Sequence, residues 1–283
     1  MISASIVLYN TPYEQLVRVI KSYAPEQERL LFLIDNSSAE MDVETKKCIG
    51  VDAKTIFYHF NGKNIGYGAA HNIGIKQAEK IGATYHIVLN PDLYFKPSAT
   101  DELKKYADSH RDVVYMLPKV IYPDGSIQYL CKLLPTPADL IFRRFMPKTK
   151  KVVERNERYE LRMSGYDKVF NPPCLSGCYM FMRVETLKKY DLLFDEKYFM
   201  YCEDFDLMRR LHRYGKTIFY PYVTIVHNHA HGSYKNKKML MMHIRSAIRY
   251  FNKFGWLKDE ERDRENKKVL KEIKALKATT EEM

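Results

Sequence analysis

Short apolar runs alternate with helical patterns along the first half of the chain. The apolar runs have the length and composition of buried strands, and they end in polar, turn-forming residues. Thr11, Pro12 and Glu14 supply an N-cap, a proline at the first helical position and a capping-box acid for the helix after the first strand. The alternation predicts an α/β fold whose sheet is built largely from parallel strands. The predicted strands are residues 5–9, 30–34, 55–59 and 85–89.

The pattern changes beyond residue 120, where prolines interrupt a stretch with little periodicity. A long loop region is predicted there, and its charged block at residues 148–162 can be read as a solvated helix instead. A further strand is predicted at residues 175–183. The elements predicted after it are a helix to about Tyr214, strands at 217–220 and 223–226, and tail helices at 235–254 and 258–278.

The first tail helix is predicted to be amphipathic. Its apolar stripe at helical spacing comprises Leu240, Ile244, Ala247, Ile248 and Phe251. Packing of this stripe on the core of the protein is the simpler interpretation. The basic residues beside it are also compatible with peripheral contact with an anionic membrane face; they are Lys237, Lys238, Arg245, Arg249 and Lys253.

Length and composition place the chain among globular proteins. With 283 residues, 46% of them hydrophobic, it can form one large domain or one domain with an appendage. It has no apolar run long enough to span a bilayer, and its N-terminus lacks the features of a signal peptide, so we expect a cytoplasmic location. The five cysteines lack paired metal-ligand spacing, which favours free thiols.

The net charge of +11 predicts an anionic partner. Nucleic acid, a membrane face and a phosphorylated substrate all satisfy that charge. Basic residues are concentrated in the tail and between Arg143 and Lys151. No helix-turn-helix, zinc-finger or RNP-type segment accompanies them, so we expect no nucleic-acid partner.

Polar residues follow three of the predicted strands. They include Asp35, Asn64 and Asp92. In an open α/β sheet, ligands bind in the crevice at the carboxyl ends of the strands, which makes these residues candidates for a binding site. The glycines at 66 and 68 do not form the dinucleotide fingerprint, and helix packing explains them about as well.

Residues 194–209 hold five carboxylates among aromatic side chains. Partial loss of hydration raises the pKa of such groups and allows one of them to act as a proton acceptor or metal ligand near neutral pH. The alternative is a surface helix start, in which Glu203 and Asp204 complement the helix dipole.

Taken in order along the chain, these pieces resemble the inverting glycosyltransferases of family 2, which have the GT-A fold. The match extends from residue 6 to about residue 255, and the ending at residues 233–251 resembles the bacterial rhamnosyltransferase branch, which builds cell-surface polysaccharides. The matching pieces are residues 6–10, 35–37, 64–66 with Asn72, 89–92, 176–180, 194–206 and His227.

The resemblance implies a nucleotide-sugar site on the donor side. Asp35 would accept from the N3–H of a pyrimidine, and Asn64 and Asn72 would contact the base and diphosphate. For Asp35 a turn or N-cap role is the alternative, and for the two asparagines it is helix capping. The further donor contacts that the resemblance implies are Leu8, Asn10, Gly66, Asn90 and Asp92.

A divalent cation, Mn²⁺ or Mg²⁺, is implied at the diphosphate. Asp92 would bind it, and His227 matches the position of a further ligand. Where many relatives have Asp-x-Asp, this chain has Asn90, Pro91 and Asp92, so one carboxylate is missing. A zinc site formed by His227, His229 and His231 is the alternative.

Inversion at the anomeric carbon needs a base that removes the proton of the acceptor hydroxyl. The resemblance implies that Asp204 is this base and that Glu203 holds the acceptor hydroxyl or orients the site. Tyr201 and His231 would contact the acceptor, and neighbouring aromatics would exclude water. We expect structural roles for two further acids of the cluster, Asp195 and Asp206.

The predicted activity is inverting, metal-dependent transfer of L-rhamnose from dTDP-rhamnose to a saccharide acceptor that is lipid-linked in related systems; a UDP-sugar donor is the alternative. A sugar-nucleotide pyrophosphorylase would carry a Gly-rich basic loop after the first strand, where this chain has Tyr9, Asn10, Thr11 and Pro12. A non-catalytic carbohydrate- or nucleic-acid-binding protein gives no reason for the carboxylates.

We expect a catalytic domain at 1–232, divided near residue 95 into donor and acceptor halves. A helical appendage is expected at 233–283, and it would contact the inner face of the cell membrane.

Overall fold

A mixed β-sheet forms the centre of the computed structural model, which describes residues 1–51, 54–141, 146–147, 149–228 and 237–281. Its strands are β1 (Ile2–Leu8), β2 (Arg29–Asp35), β3 (Ile56–Phe60), β4 (Tyr85–Leu89), β5 (Leu93–Tyr94), β6 (Val113–Ile121), β7 (Tyr179–Arg183) and β8 (Lys216–His227). Their order in the sheet is β3-β2-β1-β4-β7-β6-β8-β5.

The first four strands pair in parallel, as the alternating pattern predicts. The chain then reverses the sheet, because β7 lies antiparallel to both β4 and β6, while β8 is parallel to β6. The carboxyl ends of β1, β2 and β4 therefore meet at one edge, and β7 brings the second half of the chain against it.

Helices cover both faces of this sheet. In chain order they are α1 (Tyr13–Tyr23), α2 (Val43–Cys48), α3 (Tyr67–Lys80), α4 (Ser98–Ser109), α5 (Pro137–Leu140), α6 (Lys150–Tyr159), α7 (Val184–Lys189), α8 (Glu203–Leu211), α9 (Lys237–Phe254) and α10 (Glu260–Glu281). Among the described residues, no helix combines the length and apolar character needed to cross a membrane.

The sequence pattern is weakest around the prolines. It misses α4 and β6, and it divides β8 into two strands. The division reflects a bulge, because Pro118 pairs with Tyr220 whereas its neighbour Lys119 pairs with Thr224. A proline donates no ladder hydrogen bond and is tolerated at such an irregularity. The charged block does contain a helix, at Lys150–Tyr159, and the strand predicted from residue 175 begins only at Tyr179.

The two tail helices pack onto the rest of the protein. In α9, Ala247 and Phe251 lie in a buried cluster with Tyr198 and Cys202. Further along, α10 contributes Val269 and Ile273 to the main core. The predicted boundary between residues 232 and 233 lies outside the described residues and stays a prediction.

A buried polar network joins β1 to β4 and α3. The hydroxyl of Ser5 lies 2.7 Å from Nδ1 of His71 and 2.9 Å from Nε2 of His86, and the hydroxyl of Ser3 lies 2.8 Å from Nδ1 of His86. Gly74 lets α3 approach this strand, since a Cβ there would lie 2.4 Å from the Cβ of Ser5. Burial lowers the pKa of His71 well below its ordinary value and that of His86 to about 3.

These histidines predict loss of stability in acid. The unfolded chain binds a proton at each histidine below about pH 6.5, whereas the folded protein does not, so the free energy of unfolding falls by about 1.4 kcal/mol per pH unit for each histidine. For His86 this loss extends down to a pH of about 3. Urea unfolding between about pH 6 and pH 4 should therefore show a shallower pH slope in His86→Gln by about 1.4 kcal/mol per unit. The exposed His59 provides the control as His59→Gln. An unchanged slope in His86→Gln would contradict the prediction.

Candidate active site

The first side of the site lies at the ends of β1 and β2. Asp35 is buried there, and its carboxylate accepts hydrogen bonds from the Tyr58 hydroxyl at 2.6 Å and the Ser37 backbone N–H at 2.9 Å. Leu8 takes part through its carbonyl, which accepts from the Asn36 N–H at 2.8 Å. Each oxygen of Asp35 keeps a lone pair for an N–H of a ligand. The carboxylate is thus held in place without being saturated.

Asparagines and a glycine connect β2 to the start of α3. The Asn36 amide donates to Asn64 Oδ1 at 3.3 Å and to the Gly66 carbonyl at 3.2 Å, and the Gly66 N–H donates to Asn64 at 2.9 Å. The backbone of Asn10 joins the same edge by donating to Ser37 Oγ at 2.9 Å. Gly66 has a φ of 95°, and a Cβ there would lie 2.7 Å from the Phe199 carbonyl oxygen. This position therefore requires glycine.

Asn72 binds the loop that begins at Phe194. Its Oδ1 accepts from the Phe194 N–H at 2.9 Å, and its Nδ2 donates to the Phe194 carbonyl at 3.0 Å and to Glu196 Oε1 at 3.1 Å. The side chain is buried, and both of its N–H groups are used. In this arrangement Asn72 positions the loop, and its expected contact with the donor stays a prediction.

The carboxylates lie where this loop enters α8. Tyr201 and Cys202 both have left-handed backbones, with φ of 70° and 64°. Such conformations are sparsely populated for non-glycine residues, and they cluster at functional sites. Directly after them, Glu203 is buried with no hydrogen-bond partner for Oε2 among the described residues. Asp204 accepts from the backbone N–H groups of Gly177 at 3.0 Å and Phe205 at 2.9 Å.

The two adjacent carboxyl groups differ in what stabilises their charge. Burial and then the charge of Asp204 raise the pKa of Glu203 well above its ordinary value. Burial also raises the pKa of Asp204, but the backbone donors of Gly177 and Phe205 and the charge of Lys132 oppose that rise. The two backbone donors favour the charged form of Asp204 over that of Glu203, so Asp204 is the more readily ionised acid of the pair. This division fits a base with a hydrogen-bond donor beside it.

Lys132 is a site residue that sequence reasoning missed. Its backbone N–H donates to the Cys174 carbonyl at 2.8 Å. Its side-chain ammonium lies 5.7 Å from the ring centre of Phe205 and 5.9 Å from that of Tyr159. A lone lysine between the apolar residues Cys131 and Leu133 was the only signal in the sequence.

Two other acids of the cluster, Asp195 and Asp206, are ion-paired. Asp206 is fully buried and binds Arg210 at 2.6 Å and Lys253 at 2.6 Å, and Asp195 binds the same lysine at 3.0 Å. These contacts agree with structural roles for both acids. Tyr201 is half-buried at the mouth of the carboxylate pair, whereas His231 lies outside the described residues.

The candidate cation site lies at the end of β4 and β8. Oδ1 of Asp92 is buried, has no hydrogen bond of good geometry to any described residue and lies 3.2 Å from Nε2 of His227. The ring is oriented by Gln128, whose Oε1 lies 2.9 Å from Nδ1 and whose amide donates to the His227 carbonyl at 2.7 Å. Burial lowers the pKa of His227, but Cys178 and Asp92 outweigh it and raise that pKa to about 10.

The spacing of Asp92 and His227 fits a divalent cation. Two neighbouring ligands of an octahedral ion, each about 2.1 Å from it, lie about 3.0 Å apart. The described residues contain no group of three or more His, Cys, Asp or Glu side chains that could hold a metal. Two protein ligands leave positions for phosphate oxygens and water, as is usual for Mg²⁺ with nucleotides. His229 and His231, the other members of the zinc alternative, lie outside the described residues.

Tyr67 links the cation side to the carboxylates. Its hydroxyl lies 2.9 Å from both Asn90 Oδ1 and the Gly177 carbonyl oxygen. The next contact is the bond from the Gly177 N–H to Asp204, and a Cβ on Gly177 would lie 2.8 Å from that of Asp204. One hydrogen-bonded chain thus spans the two halves of the site.

Comparison with known proteins gives one family and several relatives. The profile of glycosyl transferase family 2 matches residues 3–191. The chain is 29% identical over 188 residues to the N-acetylglucosaminyl-diphospho-decaprenol L-rhamnosyltransferase of Mycobacterium tuberculosis, which covers 61% of this chain and 58% of the relative. It is 26% identical over 214 residues to rhamnosyltransferase WbbL of Escherichia coli. This match covers 73% of this chain and 77% of that relative. The chain thus spans less than two thirds of the mycobacterial relative.

Solved structures share the fold at low sequence identity. GalNAc-T7 with UDP, GalNAc and Mn²⁺ has a TM-score of 0.60 at 17% identity, over 80% of this chain and 43% of that one. Staphylococcus aureus TarS 1-349 with UDP-GlcNAc has a TM-score of 0.56 at 15% identity, over 95% and 71%. These likenesses confirm the predicted GT-A fold.

The Asn72 contacts predict how firmly the loop is held. Each buried hydrogen bond contributes about 1 kcal/mol, so we expect Asn72→Ala to speed amide exchange at residues 194–200 by at least about tenfold. Hydrogen exchange followed by mass spectrometry measures this. Lys76→Ala, at an exposed position of the same helix, is the control. Equal exchange in both variants would show that other contacts hold the loop.

Proposed function

The chain belongs to glycosyl transferase family 2, and from that membership we propose that it transfers a sugar, with inversion, from a nucleotide-diphosphate donor to a saccharide acceptor. The observation that carries the proposal is the division of labour between Glu203 and Asp204. Glu203 is buried with an oxygen that has no partner in the parts of the chain that the structure describes, and Asp204 is held by two backbone N–H groups. A binding protein has no need for such a pair.

We propose L-rhamnose carried by dTDP as the donor. Support comes from the relatives, two of which are named as rhamnosyltransferases. A UDP-sugar is the second candidate, since structures of this fold contain UDP or UDP-GlcNAc. The name of the mycobacterial relative supports a diphosphate-lipid-linked saccharide as the acceptor and a role in cell-surface polysaccharide synthesis.

In the proposed reaction, Asp204 receives the proton of the acceptor hydroxyl. The hydroxyl oxygen forms a bond to the anomeric carbon from the side opposite the diphosphate, while the bond from that carbon to the diphosphate oxygen breaks. Glu203, which carries its proton, would donate a hydrogen bond that orients the acceptor. Asp35 would accept from the base, with Asn64, Gly66, Asn10 and the end of β1 around it.

A divalent cation fits the proposed donor site. Asp92 and His227 would hold Mn²⁺ or Mg²⁺, which neutralises the leaving diphosphate when bound. Asn90 donates no charge there, and it is instead 2.9 Å from the Tyr67 hydroxyl and 3.5 Å from His227 Nε2. Because the protein supplies one carboxylate fewer, more of the positive charge of the cation would remain to neutralise the diphosphate.

Peripheral membrane contact through α9 stays a prediction. The structure uses part of the expected surface elsewhere, since Ala247 and Phe251 are buried and Lys253 binds Asp195 and Asp206. Ile248 remains exposed on this helix. Flotation with anionic liposomes at low salt tests the contact, and absence of binding there would remove it.

We predict that Asp204→Asn reduces sugar transfer by at least about a hundredfold, because the proton acceptor is lost. Single-turnover transfer from radiolabelled donor measures the loss. Asp195→Asn, an acid of the same cluster that pairs with Lys253, is the matched control and should retain transfer. If Asp204→Asn kept full transfer, the role of the base would move to Glu203.

Asp92→Ala and His227→Ala should each weaken cation-dependent donor binding, with the larger effect for Asp92 because it alone brings a charge. Calorimetric titration with dTDP and UDP, with and without Mn²⁺, measures the effect. Gln128→Ala should give a smaller loss, since Gln128 only orients His227. Nucleotide binding that EDTA does not change would contradict the cation assignment.

A further inference from the structure

A groove of about 680 Å³ lies between α6 and α10, away from the expected donor contacts. Its walls include the apolar side chains of Leu133, Leu134 and Leu270. Six basic side chains and two acidic ones also line it. The basic ones are Arg155, Arg158, Arg262, Lys267, Lys271 and Lys274.

The two acids of the groove do not cancel this charge. Asp139 is already bound by Arg155 at 2.8 Å and by the backbone N–H and hydroxyl of Thr136 at 2.8 and 2.6 Å. Asp263 is exposed and lies beside Nε of Arg262 at 3.2 Å. The groove therefore combines apolar walls with a net positive charge.

Arg262 is the buried member of the basic set, with 6% of its surface exposed. Its Nη2 donates to the Leu257 carbonyl at 3.0 Å, whereas Nη1 has no acceptor among the described residues. The nearby Asp259 is engaged by Arg209 at 2.7 Å. A buried guanidinium N–H without an acceptor is costly, so this wall favours an additional anionic oxygen.

Two side chains, Tyr159 and Lys132, connect the groove to the region of the carboxylates. Tyr159 forms part of its lining, and the ring of Tyr159 lies 5.9 Å from the ammonium of Lys132. Lys132 in turn lies 5.7 Å from the ring of Phe205, whose N–H holds Asp204 at 2.9 Å. Lys132 thus lies between a wall of the groove and the residue whose N–H holds Asp204.

We propose that this groove binds a phosphate or diphosphate group carried on an apolar chain. Its charge complements the phosphate, and its leucines contact the chain. We further assign the ligand as the phosphate-bearing part of the acceptor, a step that rests on the proposed function. The binding itself does not depend on that step.

Farnesyl diphosphate is the probe, titrated by calorimetry against the Asp92→Ala protein so that the donor-side phosphate site is weakened. We expect inorganic pyrophosphate and uncharged farnesol to bind at least about tenfold more weakly than the probe, because each lacks one of the two contacts. The exposed pair Arg158→Ala and Lys271→Ala should weaken probe binding by at least about tenfold. Lys105→Ala with Lys277→Ala removes the same charge outside the groove and should not.

Unchanged probe binding in the Arg158 and Lys271 double variant would overturn the proposal that the groove binds such a ligand. Equal binding of pyrophosphate and farnesyl diphosphate would overturn the apolar-chain component and leave a site for free phosphate. Probe binding that the double variant weakens, in a protein that transfers no sugar, would instead overturn the proposed function and the acceptor assignment while supporting the groove.

Discussion

The loop from Phe194 to Cys202 must lie against the N-terminus of α3 for the rest of the site to form. Asn72 binds both backbone groups of Phe194, and the Tyr67 N–H donates to the Phe199 carbonyl at 3.0 Å. Glycines at 66 and 68 make the approach feasible, since a Cβ at either would come within 2.7 Å of the loop. Because α3 follows directly from the nucleotide side, this docking sets where the carboxylates stand relative to the donor.

The buried acids differ in whether a basic side chain neutralises them. Asp206 and Asp259 are each neutralised by arginine, with Lys253 adding to the first. Within the described part of the chain, Glu203 Oε2 has no hydrogen-bond partner, whereas Asp204 accepts from two backbone N–H groups. An unpaired buried carboxyl group binds a proton more readily, which gives the pair its acid and base members. The ion pairs of Asp206 and Asp259 instead hold α8 against its neighbouring elements.

The tail helices hold the same loop from its other side. The Ser246 hydroxyl donates to the Met200 carbonyl at 2.7 Å, and Lys253 bridges Asp195 and Asp206. Tyr250 and Phe251 pack near Tyr198 in the adjoining cluster. The loop is therefore held between α3 and α9. The other tail helix, α10, lines the groove proposed to bind a phosphate on an apolar chain. The tail therefore helps to hold the loop that leads into Glu203 and Asp204.

The sequence by itself determined the α/β class, the limits of β4, the polar ends of the early strands and the carboxylate cluster, because these features depend on local periodicity and on residue types close together in the chain. The tertiary structure alone decided which polar groups meet. Asn72 reaches Phe194 across 122 residues, and Gln128 reaches His227 across 99. Lys132 and Lys253 likewise acquire their roles from residues distant in sequence. Local patterns carry no information about such pairings, since they depend on how the sheet reverses at β7 and how the tail packs back on the loop.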